Sequence, residues 1–325
     1  MTNLSLTSVS PLSAGEDYYG ADNETVFYNN SHSDDDSASS DELERNILMI
    51  SCMLISILGL WGNGTVIWLL GFCIKRNQFT TFILNLSIAD FGSLTANFIL
   101  GIYLIGYSNR IGLLYALFDD IFLVMYNAGQ FLLIAISIDR CVSILFPLWH
   151  RCHRPVNLST TVCAIIWVLS FLPPAANFTL WLTVDMDYQN ISIYQYILNG
   201  FLCLPLMTIS TLVLFIKFCF KPQQQRRRKL LIVILLTLFF FLFFSFPLNG
   251  IYIALFVFDS PFPHRTFYVY LCVCMNGSVN RLTYFLIGRQ KRGRPRKSMK
   301  ATLQNLFKEE ENSQQKLDIS VETQL

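Results

Sequence analysis

The sequence predicts an all-α membrane protein in which seven transmembrane helices form a bundle. Apolar residues make up 53% of the 325-residue chain, and they are collected in seven separate runs. Each run is long enough, at about 20 residues, to cross a bilayer as a helix. Basic residues are concentrated in alternate connectors, as they are in proteins that cross the membrane repeatedly.

Residues 1–45 are predicted to be a disordered extracellular tail. The segment is acidic and rich in Ser and Asn, and it has few apolar side chains to bury. It lacks the basic and apolar regions of a cleavable signal peptide, so we expect the first span to direct membrane insertion. Three Asn-x-Ser/Thr triplets, at Asn3, Asn23 and Asn29, are predicted N-glycosylation sites.

The seven spans form one predicted domain, residues 46–288. In order, the predicted spans are 46–73, 80–106, 113–145, 158–182, 193–220, 230–257 and 266–288. With the tail outside, the external segments carry only Arg45, Arg110 and Arg265, while the internal segments carry clusters of Lys and Arg. The positive-inside rule therefore predicts an extracellular N-terminus and a cytoplasmic C-terminus.

The third span ends with the charged pair Asp139–Arg140, which is followed by Cys141. A charge at bilayer depth is costly, so such residues are usually paired and functional. We expect Asp139 to hold the Arg140 side chain, which makes Arg140 a movable cation at the cytoplasmic mouth of the bundle. Alternatively, Arg140 is an ordinary helix-end residue that extends to the lipid headgroups.

The other spans also carry polar or helix-weakening residues. These are Asn63, Asp90, Trp167, Pro205 and Pro247 in the first, second, fourth, fifth and sixth spans, and Asn276, Asn280, Arg281 and Tyr284 in the seventh. Taken in order with Asp139–Arg140, this set resembles the rhodopsin-like (class A) G protein-coupled receptors across all seven helices.

A closer resemblance is to the Mas-related G protein-coupled receptors. The motifs that carry it are Phe72-Cys-Ile-Lys-Arg-Asn-Gln-Phe-Thr80, Ser87-Ile-Ala-Asp-Phe91, Ser137-Ile-Asp-Arg-Cys141, Phe146-Pro-Leu-Trp-His-Arg-Cys-His-Arg-Pro155 and Tyr284-Phe-Leu-Ile-Gly288. Two absences agree: Tyr115 lies where most class A receptors have Cys, and Ser245 replaces the usual sixth-helix Trp. The resemblance implies a plasma-membrane receptor with an extracellular ligand, a heterotrimeric G protein and arrestin as partners.

Residues of the sixth and seventh spans complete the predicted activation switch, which consists of Asp139, Arg140, Cys141, Pro247, Asn280, Arg281 and Tyr284. Pro247 removes a backbone hydrogen bond, so the half of the sixth helix nearest the cytoplasm can swing outward and open a cleft beside Arg140. The sixth helix begins with Arg226-Arg-Arg-Lys229, which offers no acid to Arg140. We therefore expect measurable basal signalling.

An interior polar pocket is predicted from Asn63, Asp90 and Asn276, and in the family it is often a sodium site. Arg281 replaces the Pro of the familiar Asn-Pro-x-x-Tyr motif. Our hypothesis is that Arg281 contacts Asp90 and stands in for the ion. Alternatively, Arg281 extends to the cytoplasmic headgroups.

Acidic and aromatic residues near the predicted extracellular surface suggest a cationic ligand, because Coulomb attraction and cation–π contact both favour one. The candidates are Asp119, Asp120, Phe122, Tyr126, Asn177, Trp181, Asp185, Asp187 and Tyr252. Mas-related receptors often accept basic peptides or amines. Alternatively, each carboxylate simply faces water.

Residues 289–325 are a predicted cytoplasmic segment with three parts. The basic run Arg289 to Lys300 favours anionic lipid over nucleic acid, because the headgroups are the nearest polyanion. Met299, Leu303, Leu306 and Phe307 predict a short amphipathic helix on the membrane. The terminal Thr323-Gln324-Leu325 fits strand addition to a PDZ domain.

A membrane transporter or channel is the alternative function, with Asp90, Arg140, Lys217 and Arg281 as its charged path. We do not expect a membrane enzyme, because no His lies in any span. No cofactor or metal is expected, since Cys272 and Cys274 are two residues apart and point to different faces of a helix. None of the nine cysteines lies in a predicted extracellular segment, so no disulfide framework is expected.

Overall fold

The computed structural model describes residues 31–74, 77–106, 112–146, 155, 157–184, 188–220 and 265–289, with separate positions between 232 and 250. Within the helices, the side chains at 31–41, 106, 144, 184, 188–199, 217–220, 265, 266 and 280–289 lie outside the description. The chain divides into two compact units, residues 1–42 and 43–325. The contacts reported below all lie within the second unit.

The described residues form helices and no strand, as the sequence predicts. The helices, which we number by their span, are the first (Ser31–Trp68), second (Gln78–Gly106), third (Leu113–Leu145), fourth (Leu158–Val184), fifth (Tyr188–Phe220) and seventh (Arg265–Arg289). The π turn Leu69–Cys73 continues the first helix. The described positions of the sixth span are also helical. Among the described residues, four helices are long and apolar enough to cross a membrane.

The first helix begins at Ser31, inside the segment that we expected to be disordered from its composition. The helix therefore begins before the first predicted span, 46–73. The predicted start was set by apolar content, which does not mark this earlier start.

The third helix is the centre of the bundle. It packs against the second, fourth and fifth helices, and the second helix also contacts the fourth and seventh. Two-thirds of the apolar window of the third helix (67%) is buried, compared with 39% or less in the first, second and fourth helices. The third helix can therefore carry a functional residue near each of its ends and still bury both.

Buried apolar side chains form two clusters. The Phe79 cluster joins the first six helices and includes Phe79, Leu132, Met207 and Leu238. The Tyr270 cluster joins the first, second, third and seventh helices and includes Tyr115, Phe122, Tyr126 and Tyr270. Large apolar side chains such as Trp61, Phe72 and Phe201 are exposed on the outside of the bundle. An apolar surface of this kind is stable in lipid and not in water.

Two glycines allow helices to approach closely. A Cβ atom added to Gly59 on the first helix would collide with Ser278 and Leu94. A Cβ atom added to Gly92 on the second helix would lie 2.6 Å from the sulfur of Met125. The Ser278 hydroxyl also donates a hydrogen bond to the Ile55 carbonyl at 3.1 Å. The first and seventh helices are thus joined by a hydrogen bond from a side chain to a backbone carbonyl.

Candidate functional site

The third helix carries a candidate site near each end, which we call the Asp119 end and the Arg140 end. At 1.5 Å per residue, the two residues are about 30 Å apart along the helix axis. The two ends are therefore separated by about the thickness of the hydrocarbon core of a bilayer.

At the Arg140 end, Arg140 and Asp139 are close in space. Nη2 of Arg140 lies 3.6 Å from Oδ2 of Asp139, and the two side chains are 12% and 10% exposed. The predicted contact between these neighbours is therefore present. The low exposure means that Arg140 is covered in this conformation and does not extend freely into the headgroup region.

Phe79 of the second helix is a further partner of Arg140, and the sequence analysis missed it. Cζ of Arg140 lies 3.8 Å from the centroid of the Phe79 ring, which is a cation–π contact. Phe79 itself is 3% exposed. A cation inside the apolar Phe79 cluster is thus balanced by a carboxylate and an aromatic face.

A capping box holds the start of the second helix beside this contact. The Asn77 side chain accepts a hydrogen bond from the Thr80 backbone N–H at 2.8 Å, and the Thr80 hydroxyl accepts one from the Asn77 N–H at 2.7 Å. These reciprocal bonds satisfy two N–H groups that the helix leaves unpaired. The Asn-x-x-Thr spacing is visible in the sequence and could have marked this helix start.

Cys141 lies on the face of the third helix that contacts the fifth. Its sulfur lies 3.4 Å from the Ser210 carbonyl oxygen, to which the thiol donates. One turn earlier, the Ser137 hydroxyl donates a hydrogen bond to the Ser210 hydroxyl at 2.7 Å. Ser210 follows Pro205, which lies inside the fifth helix as predicted. These bonds join the third and fifth helices close to Arg140.

The interior polar residues come together in the middle of the bundle. The buried Asn63 side chain donates to the Gly59 carbonyl at 2.9 Å and to the Gly277 carbonyl at 3.2 Å. Asp90 is buried, and a Cβ atom added to Gly129 would lie 3.7 Å from its Oδ1. Asn276 is also buried, at 8% exposure. The first, second, third and seventh helices therefore meet at this polar layer.

At the Asp119 end, a carboxylate is buried among tyrosines. Asp119 is 8% exposed, and its Oδ1 accepts a hydrogen bond from the Tyr270 hydroxyl at 2.8 Å. The hydroxyls of Tyr270 and Tyr115 are 3.3 Å apart. Asp119 therefore does not simply face water, which was the alternative interpretation. No sequence signal identified Tyr270, which lies on the seventh helix.

Phe122 and Tyr126 lie one and two turns further along the third helix. Their rings are stacked with centroids 6.1 Å apart, and the edge of Phe122 meets the Tyr270 ring at 5.2 Å. Phe122 is fully buried. It therefore supports the Tyr270 cluster from within, whereas we expected it to line the cavity.

The fourth helix contributes Asn177 and Trp181 to the same end. Asn177 is buried, as is Asp120 on the third helix. Trp181 packs against the Tyr270 cluster together with Phe178, whose ring centroid is 5.9 Å away. Across the bundle, the exposed Glu44 accepts a hydrogen bond from Tyr268 at 2.5 Å. Carboxylates and aromatic rings on the first, third, fourth and seventh helices thus surround this end.

Several predicted residues cannot be placed. Those outside the described residues are Asn3, Asn23, Asn29, Asp185, Asp187, Pro247, Tyr252 and Thr323-Gln324-Leu325. Asn280, Arg281 and Tyr284 lie on the described seventh helix, but their side chains do not belong to the description. The described part of the chain contains no group of three His, Cys, Asp or Glu residues that could hold a metal ion.

Comparison with known proteins agrees with this architecture. The family described as "7 transmembrane receptor (rhodopsin family)" matches residues 62–280. The chain is therefore a rhodopsin-like seven-helix receptor, which is not an enzyme.

Individual relatives narrow the family further. The chain is 35% identical to proto-oncogene Mas of Rattus norvegicus over 267 residues, which cover 79% of this chain and 82% of that protein. It is 39% identical to Mas-related G-protein coupled receptor member H of Mus musculus over 280 residues, 83% of this chain and 86% of that protein. The chain belongs to the Mas-related G protein-coupled receptor family, so the predicted family is confirmed. Membership implies a membrane protein with an extracellular ligand and a heterotrimeric G protein as partners.

Proposed function

We propose that this receptor binds a cationic peptide or amine at the Asp119 end and activates a heterotrimeric G protein at the Arg140 end. The proposal takes the plasma membrane as the location, with the N-terminus outside and the C-terminus in the cytoplasm. The observation that supports it most strongly is the buried Asp119 carboxylate, which accepts a hydrogen bond from Tyr270 among aromatic side chains.

A cationic ligand follows from the cost of burying charge. An ionised carboxylate loses hydration when it is buried, and hydrogen bonds from neutral donors restore only part of that loss. A ligand ammonium or guanidinium group would add a charge-assisted hydrogen bond and would meet the aromatic faces of the Tyr270 cluster. Asp120, also buried and next in sequence, places a second carboxyl group at this end.

Coupling follows from the covered state of Arg140. The described sixth-helix residue Leu238 is buried in the Phe79 cluster, and Leu235 and Leu242 pack against it. Outward movement of this helix, with Pro247 as the hinge, would open the cluster and uncover Arg140. A helical segment of the G protein could then dock in the cleft.

The test is a screen of basic peptides and amines against the expressed receptor, with nucleotide exchange on purified heterotrimeric G proteins as the readout. We expect at least one cationic compound to stimulate exchange, and Arg140→Ala at matched surface expression to abolish the response. Stimulation by neutral compounds only would contradict the ligand proposal, and a full response from Arg140→Ala would contradict the coupling proposal.

The remaining sequence predictions belong to this proposal. Arg281 contacts Asp90. Glycans are attached at Asn3, Asn23 and Asn29. The basic run at residues 289–300 binds anionic lipid. The receptor also recruits arrestin, and Thr323-Gln324-Leu325 binds a PDZ domain. A glycosidase-dependent shift in electrophoretic mobility, lost in the triple Asn→Gln variant, tests the glycans and the external N-terminus together.

A further inference from the structure

We propose that Phe79 is a latch: its ring holds the Arg140 guanidinium in the covered conformation, and G protein coupling requires its release. The release step rests on the proposed coupling function. The contact itself, which we call the Phe79 latch, does not depend on that function.

The geometry of the contact is that of a strong cation–π interaction. The guanidinium carbon lies 3.8 Å from the ring centroid, well inside the distance of about 6 Å at which such pairs attract. The Phe79 ring is 3% exposed and the Arg140 side chain 12% exposed. Water therefore competes weakly, and the attraction is at the strong end of its range.

The ring is held in place by the backbone around it. Phe79 lies between Asn77 and Thr80, the two residues of the capping box, and is the second residue of its helix. The first backbone bond of this helix, from the Thr81 N–H to the Asn77 carbonyl, is also formed at 3.1 Å. A ring on a capped helix start cannot follow Arg140 when that side chain moves.

The latch is coupled to the position of the sixth helix. Phe79 and the sixth-helix residue Leu238 belong to the same buried cluster. If the sixth helix moves outward, water enters the cluster and reaches Arg140. Because a cation–π contact weakens when it is solvated, the same movement that opens the cleft loosens the latch. The latch therefore favours the closed state cooperatively with the packing of the sixth helix.

A purely space-filling role for Phe79 is the alternative, and the chain offers a matched control. Phe82 is also 3% exposed, also lies on the second helix and also belongs to the Phe79 cluster. Phe79→Leu and Phe82→Leu each remove one phenyl ring from the Phe79 cluster. Only the first removes a ring whose contact with Arg140 is seen.

The first measurement is ligand-free nucleotide exchange at matched surface expression. We expect Phe79→Leu to raise the exchange rate about tenfold, the difference between a buried and a solvated cation–π contact. Phe82→Leu should change it less than twofold. An unchanged rate for Phe79→Leu, or an equal rise in both variants, overturns the proposal.

The second measurement needs no G protein. Thermal unfolding of the purified, ligand-free receptor is followed for Phe79→Leu, Arg140→Gln and the double variant. If the two residues interact, the loss of stability in the double variant is smaller than the sum of the single losses. The same cycle with Phe82→Leu should be additive. If the stability losses of Phe79→Leu and Arg140→Gln simply add, the Phe79 latch is overturned. If ligand-stimulated nucleotide exchange survives in Arg140→Ala, only the proposed coupling site is overturned.

Discussion

Replacing Asp119 by Asn removes one negative charge from the Asp119 end and keeps the shape of the side chain. Asn still offers an oxygen to the Tyr270 hydroxyl, which now donates to Asp119 at 2.8 Å. A hydrogen bond from a cationic ligand to a buried carboxylate contributes about 1.5–3 kcal/mol. Since about 1.4 kcal/mol is a tenfold change in an equilibrium constant, we expect the Kd of a cationic ligand to rise about 10- to 100-fold.

The assay is competition binding of an activating basic compound to the wild type and the Asp119→Asn variant. Glu44→Gln is the matched control, because Glu44 also accepts a hydrogen bond from a seventh-helix tyrosine but is exposed. An exposed charge is screened by water and salt, so this variant should change Kd less than about twofold. The N-acetylated ligand, which lacks the charge, should bind the wild type and Asp119→Asn equally. An equal loss of affinity for the charged and acetylated ligands would refute the reasoning.

Four other outcomes are expected. Asn77→Ala removes the capping box and should lower stability by about 1 kcal/mol in thermal unfolding while raising ligand-free exchange. Asn63→Ala leaves two buried carbonyls with fewer donors and should cost about 1–3 kcal/mol, whereas Thr65→Ala, at an exposed position, should change stability little. Arg281→Pro should make ligand affinity sensitive to sodium, and continued indifference to sodium would remove support for the pairing with Asp90. Finally, the wild type should signal without ligand at matched surface expression; a silent receptor would contradict this.

The helices could be predicted closely where both ends are marked in the sequence. The third helix coincides with its predicted span because Gly112 precedes the apolar run and Pro147 follows it. The first helix begins at Ser31, before the apolar run that set its predicted start at residue 46.

The partners of the site residues were predictable only when they are neighbours in sequence. Asp139 is adjacent to Arg140, and their contact could be expected. Phe79 and Tyr270 reach Arg140 and Asp119 from other helices, so their contacts depend on how each helix is rotated about its axis. Each residue turns an α-helix by about 100°, and no pattern of apolar residues fixes the rotation that precisely.

The close contact at Gly59 has a consequence for how this molecule can change, both in motion and in evolution. A larger side chain at position 59 fits only if the Ser278 hydroxyl and the Leu94 methyl group move aside, so a library randomised at codon 59 should return glycine most often among its functional clones. Rotation of the first helix about its long axis would bring larger side chains against Ser278 and Leu94, so this contact resists that rotation. The contact therefore favours one fixed packing of the first helix against the seventh.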